Sequence, residues 1–284
     1  MKIGGVMFFT TASMQPAPLA RAMEERGFES LWVPEHTHIP SSLKSAYPAS
    51  GGLVRAYYEL MDPFLALNTA ATVTTRLKVG TGIALITQRD PIVTAKMVSS
   101  IDQLSQGRFL FGVGNGWNQD EIENHGTAFE SRHKLARERV EAMKTIWAEE
   151  EPEYHGEFVS FGKMKQWPKP FQKPHPPIIV GGAFPYAARR TIRYGNGWIP
   201  RADRLAKDGV GVVIDKFRVM AKEAGRDPAS LPITIFRVPE VLDQLKYCQE
   251  IGVDRVTFTL PAEKEDKLMP IIDRWSELKR QLGG

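Results

Sequence analysis

A closed (β/α)8 barrel, an α/β fold of the TIM-barrel type, is the architecture this sequence predicts, on three observations. Short Val/Ile/Leu-rich runs alternate eight times with helical segments, as parallel strands linked by crossover helices do. The stretch Arg76–Trp117 shows the unit most clearly: an apolar run, a polar tip, a helix opened by Pro91 and a second apolar run. No short fixed-period repeat accompanies the alternation, and an open doubly wound sheet fits eight units less well. The 284 residues are read as one domain, with a Pro-rich excursion between strands 4 and 5.

Taken in order, Ile3–Phe9 reads as strand 1 and Pro16–Arg26 as its helix, stopped by Gly27. Ser30–Val33 is a short buried strand 2, and Pro34-Glu35-His36-Thr37-His38 follows it directly. Residues 39–60 form a loop of a length that compact domains usually keep for function. Asp62-Pro63 starts helix 2, which runs to Thr75. Leu77–Ile86 is strand 3, Gly107 ends the helix after it, and Arg108–Gly114 is strand 4. Asn118–Phe129 is irregular or short-helical, and Arg132–Glu150 is a long amphipathic helix. Six prolines break Pro152–Pro177, leaving room for a short hairpin at Glu153–Phe161. Beyond it come strand 5 (Ile178–Val180), its helix (Pro185–Tyr194) and strand 6 (Gly197–Pro200). The chain finishes with a helix (Gly209–Ala224), strand 7 (Ile233–Phe236), a helix (Glu240–Ile251), strand 8 (Arg255–Leu260) and a closing helix (Glu263–Leu282).

Composition narrows the function classes. A hydrophobic share of 42% with 25% charged residues is ordinary for a globular protein, and no run of 18 apolar residues offers a membrane span. The chain opens on a strand-like run rather than a leader pattern. Its one cysteine, Cys248, sits in an apolar helical pattern and reads as core, so a cytoplasmic protein is expected. A net charge of +4 is too mild to argue for nucleic acid. Its distribution says more: Phe158–Ala202 carries eight Lys and Arg with no Asp or Glu, leaving the rest of the chain net negative. Such asymmetry predicts an anionic small-molecule partner near this segment.

Four strand ends carry the candidate chemistry. Glu35-His36 follows strand 2, where a histidine beside a carboxylate can be held in one tautomer and exchange protons near neutral pH. A histidine that merely bridges loop backbone explains the same pair. His36-x-His38 puts two imidazoles on one side of an extended segment, but no further ligand cluster completes a metal site, and no metal is expected. Gly112-x-Gly114-x-Gly116-Trp117 fails the dinucleotide fingerprint, because Trp117 stands where tight helix packing needs glycine. Val180-Gly181-Gly182-Ala183 runs from a strand into a helix start and forms a natural phosphate cradle. Tyr47, Tyr57, Tyr58, Trp167 and Phe171 receive no chemical role.

The Ala-Lys pair at 95–96, Asp-x-Leu-Ser-x-Gly-Arg at 102–108 and Gly-x-Gly-x-Gly-Trp at 112–117, in that order and spacing, resemble the bacterial-luciferase-like flavin and deazaflavin oxidoreductases. More narrowly, they resemble the branch that uses coenzyme F420, and the likeness runs from Ile3 to the last helix. It implies His36, with Glu35, near the reactive edge of the cofactor ring. It also implies that the end of strand 3 bulges against the back of the ring, often with a non-proline cis peptide. Ala84 and Leu85 are assigned to that bulge, and Thr87 stands where many relatives have proline. Gly114, Asn115 and Gly116 would line the cofactor face. Gly181, Gly182, Ala183 and Arg201 would meet its phosphate and acidic tail. Asn196 replaces an aspartate common before the Gly-Trp of strand 6.

The implied activity is hydride transfer between F420 and a small organic substrate, in a homodimer. An FMN-dependent monooxygenase is the alternative on the same fold. A barrel hydrolase or lyase using Glu35 and His36 without flavin is the alternative from another class. A flavin-binding relative without catalysis is a third.

Overall fold

The structure, a computed structural model, describes residues 1–41, 44–45, 54–205 and 209–283. Eight strands form the barrel: β1 (Lys2–Met7), β2 (Ser30–Val33), β3 (Lys78–Thr81), β4 (Phe109–Gly114), β5 (Ile178–Gly181), β6 (Gly197–Ile199), β7 (Thr234–Ile235) and β8 (Arg255–Leu260). All pair in parallel, in the order β7-β8-β1-β2-β3-β4-β5-β6. Single bridges, Trp198 to Ile233 and Arg201 to Phe236, join β6 to β7 and bring the sheet nearly full circle. Such a circle removes the unpaired edges that an open sheet would expose.

The outer layer is α1 (Pro16–Glu25), α2 (Pro63–Thr72), α3 (Pro91–Leu104), α4 (Gln119–Asn124), α5 (Arg132–Ala148), α6 (Tyr186–Tyr194), α7 (Ala202–Leu205), α8 (Val210–Glu223), α9 (Leu242–Glu250) and α10 (Glu265–Gln281). The predicted helix starts have a physical basis in the structure. Asp62 caps α2 through the N–H groups of Phe64 and Leu65, and Asp90 caps α3 through that of Val93. A proline follows each cap, where no helical N–H is needed.

Two main apolar clusters hold this frame, besides a small one of Leu135, Ala142 and Val159. The larger fills the space between strands and helices. The smaller, with Val6, Trp32, Leu110, Ile179 and Ile199, packs against Ile83 and Phe236. Trp32 is fully buried and ties its indole N–H to Ser30 Oγ at 2.8 Å. Burying a side chain of this size contributes about 3 kcal/mol. At the strands' N-terminal ends, Arg255 grips Glu29 with two hydrogen bonds of 2.7 and 2.6 Å. Burial works against the Glu29 charge, yet the Arg255 guanidinium outweighs it and holds the carboxyl down at about 2.

Two sequence expectations change. Strand 3 is not continuous from Leu77 to Ile86: β3 ends at Thr81, the Gly82–Ile83 peptide is cis, and Ala84–Leu85 then pairs with Val113 and Gly114 of β4. The break therefore lies just before Ala84 and Leu85, and Ile83, half-buried, faces the cavity. Strand 7 is shorter than expected, at Thr234–Ile235, whereas the segment after Trp117 carries the short helix α4, one of its two expected forms. The excursion does carry its hairpin, Tyr154–His155 on Ser160–Phe161, held by Glu138 through the Phe158 and Val159 N–H groups. Cys248 is buried in the core, and Tyr47 lies outside the described residues.

Candidate active site

A cavity of about 390 Å³ opens at the C-terminal ends of the strands. Phe8 enters from β1, Glu35 and His36 from β2, Ile83 and Leu85 from beyond β3, and Asn115, Gly116 and Trp117 from beyond β4. Gly181, Gly182 and Ala183 supply the β5 wall, Arg201 and Arg204 the β6 wall, and Phe236 and Arg237 the β7 wall. The volume suits a small-molecule ligand.

His36 is held by a carboxylate that is not its neighbour in sequence. Its Nδ1 lies 2.8 Å from Glu121 Oε2, and both side chains are buried. The other carboxylate oxygen, Oε1, accepts the Thr37 N–H at 3.1 Å. With Nδ1–H donating to Glu121, Nε2 is left as the acceptor of a neutral imidazole. Tyr57 and Trp117 pack on the ring, at centroid distances of 5.3 and 5.9 Å.

Glu35 turns elsewhere. It accepts the Leu85 N–H at 2.6 Å and pairs with Arg89, whose Nε lies 2.7 Å away. Arg89 also reaches Asp62, the cap of α2, at 2.9 Å. Burial pushes the Glu35 carboxyl up, against the pull of the Arg89 charge and the Leu85 N–H toward ionisation. The expectation that Glu35 orients His36 is thus corrected: adjacent residues point apart on extended backbone, and Glu35 anchors the loop after β3.

Of the remaining predicted residues, Leu85, Asn115, Gly116, Gly181, Gly182, Ala183 and Arg201 line the cavity. Ala84 is fully buried behind it. Gly114 does not face it either, because a Cβ there would meet Ile83 Cδ1 at 1.6 Å. Its glycine makes room for Ile83 rather than for a ligand. Asn115 Nδ2 lies 2.6 Å from Nδ1 of the rim residue His133. Partial burial, with Arg132 and Arg190 beside it, pushes the His133 imidazole down to about 4, so it is neutral at pH 7.

The acid-free basic segment does not gather at one place. Lys169 donates to the last carbonyls of α5, Lys165 pairs with Glu151, and Arg189 and Arg193 lie exposed on α6. Arg190 and Arg201 alone of the eight line the cavity, and Arg201 is paired with Asp203 just past the segment. Arg204 and Arg237 add two more cations from outside it. Sequence reading missed these two, together with Ile83, Glu121 and His133. His38 hydrogen-bonds Asn124 and Thr37, and among the described residues no three His, Cys, Asp or Glu side chains gather as a metal site. Nor is any described helix long and apolar enough to cross a membrane.

Comparison with known proteins agrees with this geometry. A family profile described as luciferase-like monooxygenase matches residues 15–251. An uncharacterised protein of Mycobacterium tuberculosis is 39% identical over 281 residues, covering 96% of this chain and 97% of its own. The structure of a monooxygenase from Streptomyces bottropensis superposes with a TM-score of 0.79 at 20% identity, over 100% of both chains. An F420-dependent secondary alcohol dehydrogenase in complex with an F420–acetone adduct gives 0.75 at 18% identity, over 98% of this chain and 97% of that one. These two structures share the barrel fold. A profile match across most of the chain, on a barrel of this kind, shows that the protein belongs to the luciferase-like monooxygenase family.

Proposed function

We propose that this chain is a deazaflavin-dependent oxidoreductase, moving a hydride between coenzyme F420 and a small organic substrate. The observation that carries the reading is one cavity joining a carboxylate-held histidine to a glycine cradle flanked by arginines. The residues fit such a cofactor. Among the described residues Arg190 Nε is buried without a hydrogen-bond partner, and Pro185, at the N-cap position of α6, makes no side-chain cap, so guanidinium and helix start both suit an anionic group. Arg190, Arg201 and Arg204, on the cradle side of the cavity, exceed what a single phosphate needs and suit a longer acidic tail. Ile83 and Leu85 offer an apolar face to a ring, and Asn115 a polar edge.

When bound, the deazaflavin supplies or accepts the hydride. His36 takes or returns the substrate proton at Nε2, since Glu121 occupies Nδ1. Glu35 and Arg89 fix the loop that carries Leu85. Tyr57 and Trp117 shield the imidazole from water. On this reading the chain is one domain, working as a homodimer.

An FMN-dependent monooxygenase is the second reading, favoured by the description of the matching family and by a cradle that also suits one phosphate. A flavin-free hydrolase or lyase using Glu35 beside His36 loses its support, because Glu35 is committed to Arg89 and Leu85. The test pairs two assays. Anaerobic mixing with oxidised F420 and a panel of secondary alcohols, or reduced F420 and ketones, reads hydride transfer as a change in deazaflavin absorbance. Oxygen uptake with reduced FMN reads the alternative. Turnover in the first without substrate-dependent uptake in the second is expected, and the reverse pattern overturns the proposal.

A further inference from the structure

Arg237 is the least expected residue of the cavity wall. Its backbone has φ +64°, a left-handed conformation that a long side chain rarely adopts. Two threonines of β8 hold it there: its N–H donates to Thr257 Oγ1 at 3.0 Å and its Nε to Thr259 Oγ1 at 3.1 Å. Among the described residues no carboxylate pairs with it, although Arg201 has Asp203 and Arg89 has Glu35. The fold thus maintains a strained, anchored guanidinium at a cavity wall with no carboxylate partner among the described residues.

Its position separates it from the glycine cradle. Arg237 is tied to β8, which pairs with β1, which pairs with β2, the strand that leads to His36. Between Arg237 and His36 in this ring order stands Phe8, its ring 4.9 Å from Tyr57, which in turn lies 5.3 Å from His36. The cradle and Arg190 belong to β5 and α6, on the far side of β6. One sector of the mouth therefore offers an anion site, an aromatic wall and a proton-exchanging histidine in sequence.

We propose that Arg237 anchors the carboxylate of an organic-acid substrate whose apolar body lies on Phe8 and Tyr57, with its reacting carbon toward His36. This deepens the active-site reading above and rests on it. A guanidinium meets a carboxylate with charge-assisted, two-pronged hydrogen bonds, and an uncharged amide of the same shape forfeits them.

The probes are benzoate and benzamide, titrated by calorimetry into the protein with and without F420. Binding of benzoate at least about tenfold tighter than benzamide is expected. Arg237→Gln should erase that preference while leaving F420 affinity within about twofold. Thr259→Val, which removes the anchor of Nε and keeps the charge, should reduce the preference several-fold and guards against a folding defect in the first variant. Equal binding of the two probes, no binding of benzoate at millimolar concentration, or an Arg237→Gln variant that loses F420 instead of benzoate would each overturn the assignment. Because the titration also runs on cofactor-free protein, failure of F420 to bind would be read separately from failure of Arg237.

Discussion

Glu121 holds His36 across 85 residues of sequence, with Oε2 2.8 Å from Nδ1 and Oε1 on the next residue's N–H. One carboxylate therefore fixes both the tautomer of the imidazole and the course of the backbone that carries it. Glu121 can do this because α4 starts just after Trp117 and carries it, buried, against the chain that leaves β2.

From that contact we predict that Glu121→Gln lowers turnover by about 10²–10³ and leaves F420 affinity unchanged. The glutamine still reaches Thr37 N–H through its carbonyl oxygen but cannot support a charged imidazole. Steady-state kinetics beside a cofactor titration checks both halves. A pH–rate profile that keeps its shape in the variant would show Glu121 to be structural only.

Glu35→Gln is predicted to act on stability. It leaves the Arg89 charge buried with Asp62 as its remaining carboxylate partner, a change that costs about 3–5 kcal/mol. A fall of several degrees in the thermal midpoint is the expected reading, with turnover per folded molecule reduced far less than in a His36→Asn variant.

The cradle should be sensitive at Gly182, whose φ is +123°. Gly182→Ala forces a side chain into that conformation and sets its Cβ 3.1 Å from Ala187. The prediction is about 1–3 kcal/mol of lost stability and a weaker grip on phosphate-bearing ligands, measured by titration with FMN and F420.

Acid should loosen the barrel through Glu29. Its carboxyl titrates at about 2 when folded against 4.5 as a free side chain, so its contribution is complete above pH 4.5 and fades as pH falls toward 2. The effect is on the order of 3 kcal/mol. Urea unfolding at pH 7 and pH 3, for the wild type and Glu29→Gln, should show the acid sensitivity shrink in the variant.

How far the sequence reveals all this follows from the range of the interactions. Strand and helix alternation is local, so the barrel, the Asp-Pro helix starts and the hairpin at Glu153–Phe161 are all legible. His36 is legible too, because it directly follows a strand. Its partner is not: neighbouring Glu35 looks the better candidate in sequence, and only the fold brings Glu121 across. The basic segment misleads for a related reason. Lys169 spends its charge on the carbonyl end of α5, a role invisible in a charge count. Arg237 carries no sequence signal, since its left-handed backbone and its threonine anchors are properties of the closed barrel.

Fluorescence titration of the purified protein with F420 and, separately, with FMN decides whether the cavity receives a deazaflavin. We predict saturable F420 binding at micromolar concentration or below, with FMN at least about tenfold weaker. Preference for FMN, or binding of neither, would contradict it.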